Sequence, residues 1–151
     1  MPNSPEFIFP DWPAPANIKS LVTTRVGGFS QGPYASFNLG DHVGDAADDV
    51  RRNRARLREA LTLPLEPAWL KQVHGVNVVD AASANVGTTA DGAWTDRPGV
   101  ICAVLTADCL PVFLCNRQGT KVALLHAGWR GLMAGVIEAG LRAFATPDTE
   151  S

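Results

Sequence analysis

The sequence predicts an α/β fold, in which short apolar strands alternate with amphipathic helices. Three nearly all-apolar runs, at residues 100–105, 111–115 and 122–125, are typical of strands that are covered on both faces. The last run leads through a glycine-containing turn into a segment whose apolar residues repeat at helical spacing from Met133 to Phe144. A strand, a tight turn and a helix in this order favour an α/β domain, and 151 residues suit one domain.

The N-terminal part of the chain predicts an extended arm, a strand and one helix. Residues 1–16 are rich in proline, which excludes a helix or a central strand there. A helix is expected whose first turn holds Asp45, Asp48 and Asp49, because negative charge there complements the helix dipole, and which ends near Leu63-Pro64. Further short strands are predicted at residues 18–24, 69–73 and 77–80.

Charge balance and cysteine content limit the classes of partner. The chain carries 13 basic and 15 acidic residues, so its formal charge of -2 offers no overall field for a nucleic acid or an anionic membrane. We therefore expect a small-molecule ligand. The cysteines number three and lack disulfide spacing, and the N-terminus lacks the pattern of a secretory signal, so we expect a cytoplasmic protein.

Three candidate metal ligands occur where predicted strands end. His74 and His126 each follow an apolar run, and Cys109 follows the run that ends near Leu105. If these ends converge, two imidazoles and one thiolate would give zinc three ligands and leave a fourth position open, as in catalytic sites. The spacing is not that of a zinc finger, so structural histidines and a buried thiol remain the alternative interpretation.

Six motifs follow one another between Thr23 and Gly131. They are Thr23-Thr-Arg-Val-Gly-Gly, Phe37-Asn-Leu-Gly-Asp-His-Val-Gly-Asp45, Lys71-Gln-Val-His-Gly75, Ala90-Asp-Gly92, Thr106-Ala-Asp-Cys-Leu-Pro111 and His126-Ala-Gly-Trp-Arg-Gly131. Together they closely resemble the laccase-domain family. Bacterial members of that family are labelled polyphenol oxidases or purine nucleoside phosphorylases, of the peptidoglycan editing factor type.

The resemblance implies a layered α/β (α+β) arrangement with mixed β-sheets flanked by helices. It also implies that His74, Cys109 and His126 bind zinc. Family members normally continue through a region with a Gly-Pro-Cys-Ile-Gly type motif, and nothing similar follows Phe144 in this sequence. We therefore expect residues 1–151 to form a single laccase-like domain that corresponds to the N-terminal portion of a longer family domain.

The activity that the resemblance implies is a zinc-dependent purine nucleoside phosphorylase with adenosine deaminase activity, acting on adenosine, inosine and related nucleosides. A purine nucleoside and phosphate are then the partners. Arg25 or Arg130 would hold the phosphate through a guanidinium, and Asn38 and His42 resemble loop residues near the pocket. Asp108 would orient a histidine or shuttle a proton. Four of these residues also have structural interpretations: Arg130 as a capping or surface residue, Asp108 as a turn residue, Asn38 as a residue that satisfies backbone groups, and His42 as a structural histidine.

Three alternative functions remain open. A copper-dependent polyphenol oxidase would use the same ligands with Met133 in an axial position, although three histidines are too few for a multicopper cluster. A metal-free cysteine hydrolase or deamidase would use Cys109 as nucleophile and His126 as base. The non-enzymatic alternative is a metal-stabilised interaction module.

Overall fold

The chain forms two compact units in a computed structural model that describes residues 3–145. The first unit comprises residues 3–12 and Lys19–Leu63, and the second comprises Pro13–Ile18 and residues 64–145. The assignment of residues 1–151 to a single domain stays a prediction. Within residues 3–145, no helix combines the length and the apolar character that crossing a membrane requires.

The first unit contains a two-stranded antiparallel sheet, a short 3-10 helix and one α-helix. Strand β1 lies in the proline-rich arm and pairs with β2. The predicted strand at residues 18–24 is regular only at Val22–Thr23, near its C-terminal end. The elements are β1 (Phe7–Ile8), β2 (Val22–Thr23), the 3-10 helix (Gly32–Tyr34) and α1 (Ala47–Leu61).

Helix α1 confirms the helix that the sequence predicts, with slightly shorter bounds. Asp48 and Asp49 lie in its first turn, where their charge complements the helix dipole. The helix ends at Leu61, and its C-cap residue Thr62 adopts the left-handed conformation with a φ of 50°. Pro64 follows shortly. Arginines dominate the exposed side of α1, and two of them form ion pairs with aspartates one turn earlier, namely Arg51 with Asp48 and Arg52 with Asp49.

Asn53 is the fully buried polar residue that ties α1 to the preceding loops. Its amide nitrogen donates to Ser30 Oγ at 2.8 Å and to the carbonyl of Asn38 at 2.7 Å. Its amide oxygen accepts from the backbone N–H of Phe29 at 2.7 Å. One side chain therefore satisfies groups from two loops and connects both to the helix.

Replacing Asn53 with alanine should lower the free energy of unfolding by about 1–3 kcal/mol, because buried hydrogen-bonding groups would lose their partner. Glu59→Ala is the matched control, since Glu59 lies exposed on the same helix, and it should change stability by less than about 0.5 kcal/mol. Urea unfolding followed by circular dichroism measures both variants. Equal stability of the two variants would contradict the role assigned to Asn53.

The second unit is built on a four-stranded mixed sheet with two helices. The strand order is β3-β4-β6-β5, with β3 parallel to β4 and the other neighbours antiparallel, so the expectation of a mixed α/β fold is confirmed. The elements are β3 (Val78–Asp80), β4 (Gly92–Thr95), β5 (Leu110–Cys115), β6 (Val122–Ala127), α2 (Trp129–Ala134) and α3 (Val136–Phe144).

Two strands that the sequence predicts are not regular strands. Residues 69–73 pair instead with the loop between β3 and β4, through one isolated bridge between Lys71 and Thr89. In the run at residues 100–105, the backbone N–H and carbonyl of Leu105 both bond to the amide side chain of Gln72. Val100 and Cys102 nevertheless pack against the core cluster of Leu70, Ala81, Ala90 and Ala93. Residues 100–105 are therefore apolar because their side chains pack in the core, although they do not form a strand of the sheet.

Strand β4 was missed by sequence reasoning, although it is a central strand. Its four residues, Gly92–Thr95, are too few and too mixed to show a strand pattern. The single predicted C-terminal helix is also divided, because Gly135 adopts a φ of 101° that ends α2 and begins α3. Helix α3 covers β6 closely: a Cβ added at Gly140 would lie 2.5 Å from Cδ1 of the buried Leu125.

Candidate metal centre

His74, Cys109 and His126 come together in the second unit, as the sequence predicts. One potential ligand atom from each residue lies within 4.8 Å of the others. The two imidazole rings are arranged edge to face, with their centroids 4.8 Å apart. His126 is buried, Cys109 is half-buried and His74 is exposed, so the group opens towards solvent on one side.

The elements that carry these residues differ from the predicted strand ends. His126 lies within β6, next to its last residue. Cys109 directly precedes β5, so the prediction that it follows a strand ending near Leu105 is wrong. His74 lies in an irregular turn and has a φ of 58°, the left-handed region that few residues other than glycine adopt.

Pairing between β5 and β6 explains why Cys109 and His126 meet. Leu110 pairs with Ala127 and Pro111 with His126 in the antiparallel register. Continuing this register by one residue places Cys109 beside Gly128. A slip by one residue would turn every side chain of the strand to the opposite face of the sheet, so the strand register decides whether the thiol reaches the histidines.

Gly128 provides the space in which the three side chains meet. A Cβ atom at this position would lie 2.9 Å from Cys109 Sγ and 3.1 Å from His74 Nδ1. A contact of 2.9 Å is shorter than real Cβ atoms make, so any residue larger than glycine would displace the thiol or the ring. Sequence reasoning noted this glycine only as part of a motif.

Asp91 is the carboxylate that organises the histidine segments. Its Oδ2 lies 2.7 Å from Nδ1 of His126, and its two oxygens accept the backbone N–H groups of residues 73–75 at 2.9 to 3.0 Å. Burial raises the pKa of the Asp91 carboxyl, but the hydrogen bonds from His126 and these amides outweigh it and hold the pKa below its ordinary value. Asp91 is therefore ionised although it is fully buried.

Asp108 lies beside Cys109 at the surface, whereas Asp91 is buried beside His126. It is exposed, and its Oδ1 accepts a long hydrogen bond of 3.8 Å from the Cys109 thiol. Burial and then the charge of Asp108 raise the pKa of Cys109, so the protein environment by itself favours the protonated thiol. A bound cation would shift this balance towards the thiolate.

Two residues of the motif that begins at His126, namely Trp129 and Arg130, lie at the surface. Trp129, which is 67 % exposed, begins α2, and the guanidinium carbon of Arg130 lies 5.2 Å from the centroid of its ring. Met133, the candidate axial copper ligand, is 82 % exposed on the same helix. Arg130 is therefore an exposed cation two residues beyond Gly128 in the chain.

Arg25, Asn38 and His42 belong to the first unit and have local contacts there. The guanidinium of Arg25 donates to the carbonyls of Pro33 and Ala35. The amide of Asn38 bonds the backbone of Gly40 and a carboxylate oxygen of Asp45. His42 is exposed. Their role in binding a substrate stays a prediction.

The donor set fits zinc. Two imidazoles and one thiolate are ligands that Zn²⁺ accepts in catalytic sites, and a fourth position would remain for water or substrate. The buried carboxylate bonded to His126 is the outer partner that such histidines usually have. The same donor types also suit copper.

Comparison with known proteins identifies the family. The sequence pattern of the multi-copper polyphenol oxidoreductase laccase family matches residues 19–151, and the chain belongs to this family. A purine nucleoside phosphorylase of Pseudomonas aeruginosa is 52% identical over 144 residues, which cover 95% of this chain and 58% of that protein. Purine nucleoside phosphorylase YfiH of Escherichia coli is 50% identical over 141 residues, which cover 93% of this chain and 58% of that protein.

Solved structures agree with this assignment. A crystal structure of a Neisseria meningitidis protein matches with a TM-score of 0.87 and 54% identity, covering 93% of this chain and 58% of that chain. YlmD from Geobacillus stearothermophilus matches with a TM-score of 0.78 and 35% identity, covering 93% and 60%. The chain thus spans a little under three fifths of the length of the curated relatives named above.

Gly128→Ala should weaken metal binding by about tenfold or more, because forcing a methyl group against the thiol and imidazole costs about 1–3 kcal/mol. Gly131→Ala is the control: it lies three residues further on, and its added Cβ would make only ordinary contacts of 3.4 to 3.6 Å. Competition with a chromophoric zinc chelator measures both affinities. Wild-type affinity in Gly128→Ala would show that the close approach does not limit binding.

Proposed function

We propose that this protein is a zinc-dependent purine nucleoside phosphorylase that also deaminates adenosine. The observation that carries the proposal is the grouping of His74, Cys109 and His126 within 4.8 Å of one another. Support also comes from two relatives, each about half identical, that are named purine nucleoside phosphorylases. Adenosine, inosine and related nucleosides are the proposed substrates, with phosphate as the second substrate.

Zinc would be held by Nε2 of His126, by the Cys109 thiolate and by the imidazole of His74. When bound, a zinc ion supplies positive charge that polarises a substrate and promotes ionisation of water. The chain's own contribution is to keep the donors in place. Asp91 keeps the ring of His126 fixed through Nδ1, which leaves Nε2 as the ring nitrogen available to a metal.

Phosphorolysis requires a phosphate oxygen to bond to C1′ of the ribose while the glycosidic bond breaks and its electron pair passes to the purine. We assign Arg130 or Arg25 to the phosphate, because a guanidinium offers two parallel donors to an oxyanion. Arg130 is exposed close in sequence to the metal ligands, whereas two nitrogens of Arg25 already bond carbonyls. Asn38 and His42 are assigned to nucleoside binding on the family resemblance alone.

Asp108 is the proposed proton carrier. Its carboxylate is exposed and contacts the Cys109 thiol, which places a titratable oxygen beside the metal donors. In phosphorolysis it would deliver a proton to the leaving purine, and in deamination it would pass a proton from water to the departing ammonia.

A cytoplasmic location is part of the proposal, because all three cysteines are free thiols.

Purified protein should contain about one zinc ion per chain, because the donor set matches the ligand preference of this metal. Cys109→Ala should remove the metal. Cys102→Ala and Cys115→Ala are the controls, and Cys102 is well suited because burial and then Asp80 raise its pKa to about 12. Elemental analysis measures the metal content. Full zinc content in Cys109→Ala would contradict the ligand assignment.

Adenosine or inosine incubated with the protein and phosphate should yield the free base and ribose 1-phosphate, and adenosine without phosphate should yield some inosine. Both reactions should be lost in His74→Ala, because that residue supplies a metal donor. Chromatography of the nucleosides and bases measures the products. Phenol oxidation that requires copper, with every purine nucleoside unchanged, would replace this proposal with the polyphenol oxidase.

Removal of the metal separates the proposal from the metal-free cysteine mechanism. A strong chelator should abolish nucleoside turnover, and added zinc should restore it, because the protein environment alone favours a protonated thiol at Cys109. Undiminished turnover in chelator, together with its loss on alkylation of Cys109, would support the cysteine hydrolase instead.

A further inference from the structure

The side chain of Asp91 is surrounded by N–H donors on both oxygens. Oδ1 accepts the backbone N–H groups of Val73 at 3.0 Å and Gly75 at 2.9 Å. Oδ2 accepts the backbone N–H of His74 at 2.9 Å and lies 2.7 Å from Nδ1 of His126. Only a carboxylate presents acceptors in both positions, since an amide would turn its NH₂ group towards at least one N–H in either orientation.

We infer that Asp91 is the positioning residue of the metal centre, because one carboxylate sets both the tautomer of His126 and the backbone conformation of His74. The inference rests on the proposed metal centre and goes beyond it, since Asp91 is not one of the three proposed metal donors. It binds two ligand-bearing segments that are far apart in the sequence. Through this residue the two histidines become a single preorganised unit.

The tautomer follows from the chemistry of the pair. Both oxygens of Asp91 already accept backbone N–H groups, so the carboxylate is also the acceptor of the short contact, and the proton of that contact belongs to Nδ1 of His126. The lone pair of this ring then lies on Nε2, the nitrogen on the far side of the ring from Asp91. A histidine with the opposite tautomer would present a proton where a metal needs a lone pair.

The backbone effect concerns the turn that carries His74. Its φ of 58° costs free energy for a residue with a side chain, so the surroundings must stabilise this conformation. Three successive N–H groups, from residues 73–75, point at one carboxylate and form an anion-binding concavity. The charge of Asp91 therefore maintains the turn that directs the His74 ring towards Cys109.

The first test measures zinc affinity in Asp91→Asn, which preserves the size of the side chain but removes an acceptor. Affinity should fall by about 10- to 100-fold, the usual effect of losing an outer partner of a metal ligand. Asp80→Asn is the matched control, because the Asp80 carboxylate also accepts a backbone N–H, which is donated by Ala82 at 2.9 Å. Asp80 is not hydrogen-bonded to any of the three proposed metal-binding residues. Competition with a chromophoric chelator should give wild-type affinity for this control.

Spectroscopy distinguishes positioning from general stabilisation. Cobalt-substituted Asp91→Asn, measured at a temperature where circular dichroism shows it folded, should have altered ligand-field bands, whereas Asp80→Asn should retain the wild-type spectrum. A folded Asp91→Asn protein with wild-type zinc affinity and an unchanged cobalt spectrum would overturn the inference. Absence of zinc binding by the wild-type protein would instead overturn the proposed function, so the two failures are distinguishable.

The tautomer can be measured without any substitution at Asp91, which keeps the inference testable if the variant does not fold. Long-range ¹H–¹⁵N correlation spectra of the metal-free wild-type protein, assigned with His126→Gln, should show His126 with its proton on Nδ1. A proton on Nε2 would overturn the inference. His42 provides an internal reference, because it is exposed and its Nδ1 lies 3.9 Å from the carboxylate oxygen of Asp41, too far for a hydrogen bond.

Discussion

The candidate metal centre of the second unit depends on the hydrogen bonds that the buried carboxylate of Asp91 accepts. A buried charge is strongly destabilising unless hydrogen bonds replace its water, and here backbone and imidazole N–H groups do so on both oxygens. This requirement works in both directions. The turn at residues 73–75 needs the carboxylate to stabilise its backbone, and the carboxylate needs the turn to be buried at all.

Asp91 also owes its position to the sheet. It directly precedes β4, and its backbone carbonyl accepts the N–H of His126 in β6 at 2.7 Å. The same residue therefore contacts His126 through both backbone and side chain. Since β6 lies between β4 and β5, the antiparallel pairing with β5 brings Cys109 to the same edge. Close packing at Gly128 then allows the thiol and the His74 ring to approach each other.

The first unit depends on a comparable polar centre at Asn53, which contacts two loops from within a helix. Helix α1 was predicted because its acidic first turn and its terminal Leu63-Pro64 are local signals. The burial of Asn53 was not predicted, since a polar residue among arginines is expected to face solvent. Its burial follows from the loops that fold over it, and these contacts are separated from it by more than a dozen residues.

The sequence by itself determined the mixed α/β class, the long helix, β5, β6 and the three candidate ligands, because apolar periodicity and strongly ligating residue types are local properties. Only the tertiary structure decided that residues 100–105 are not a strand, that β4 is central, and that His74 adopts a left-handed turn. It also decided which aspartate contacts a histidine. Asp108 is adjacent to Cys109 in the sequence, yet Asp91 holds His126, because hydrogen bonds depend on distances in space that strand pairing creates.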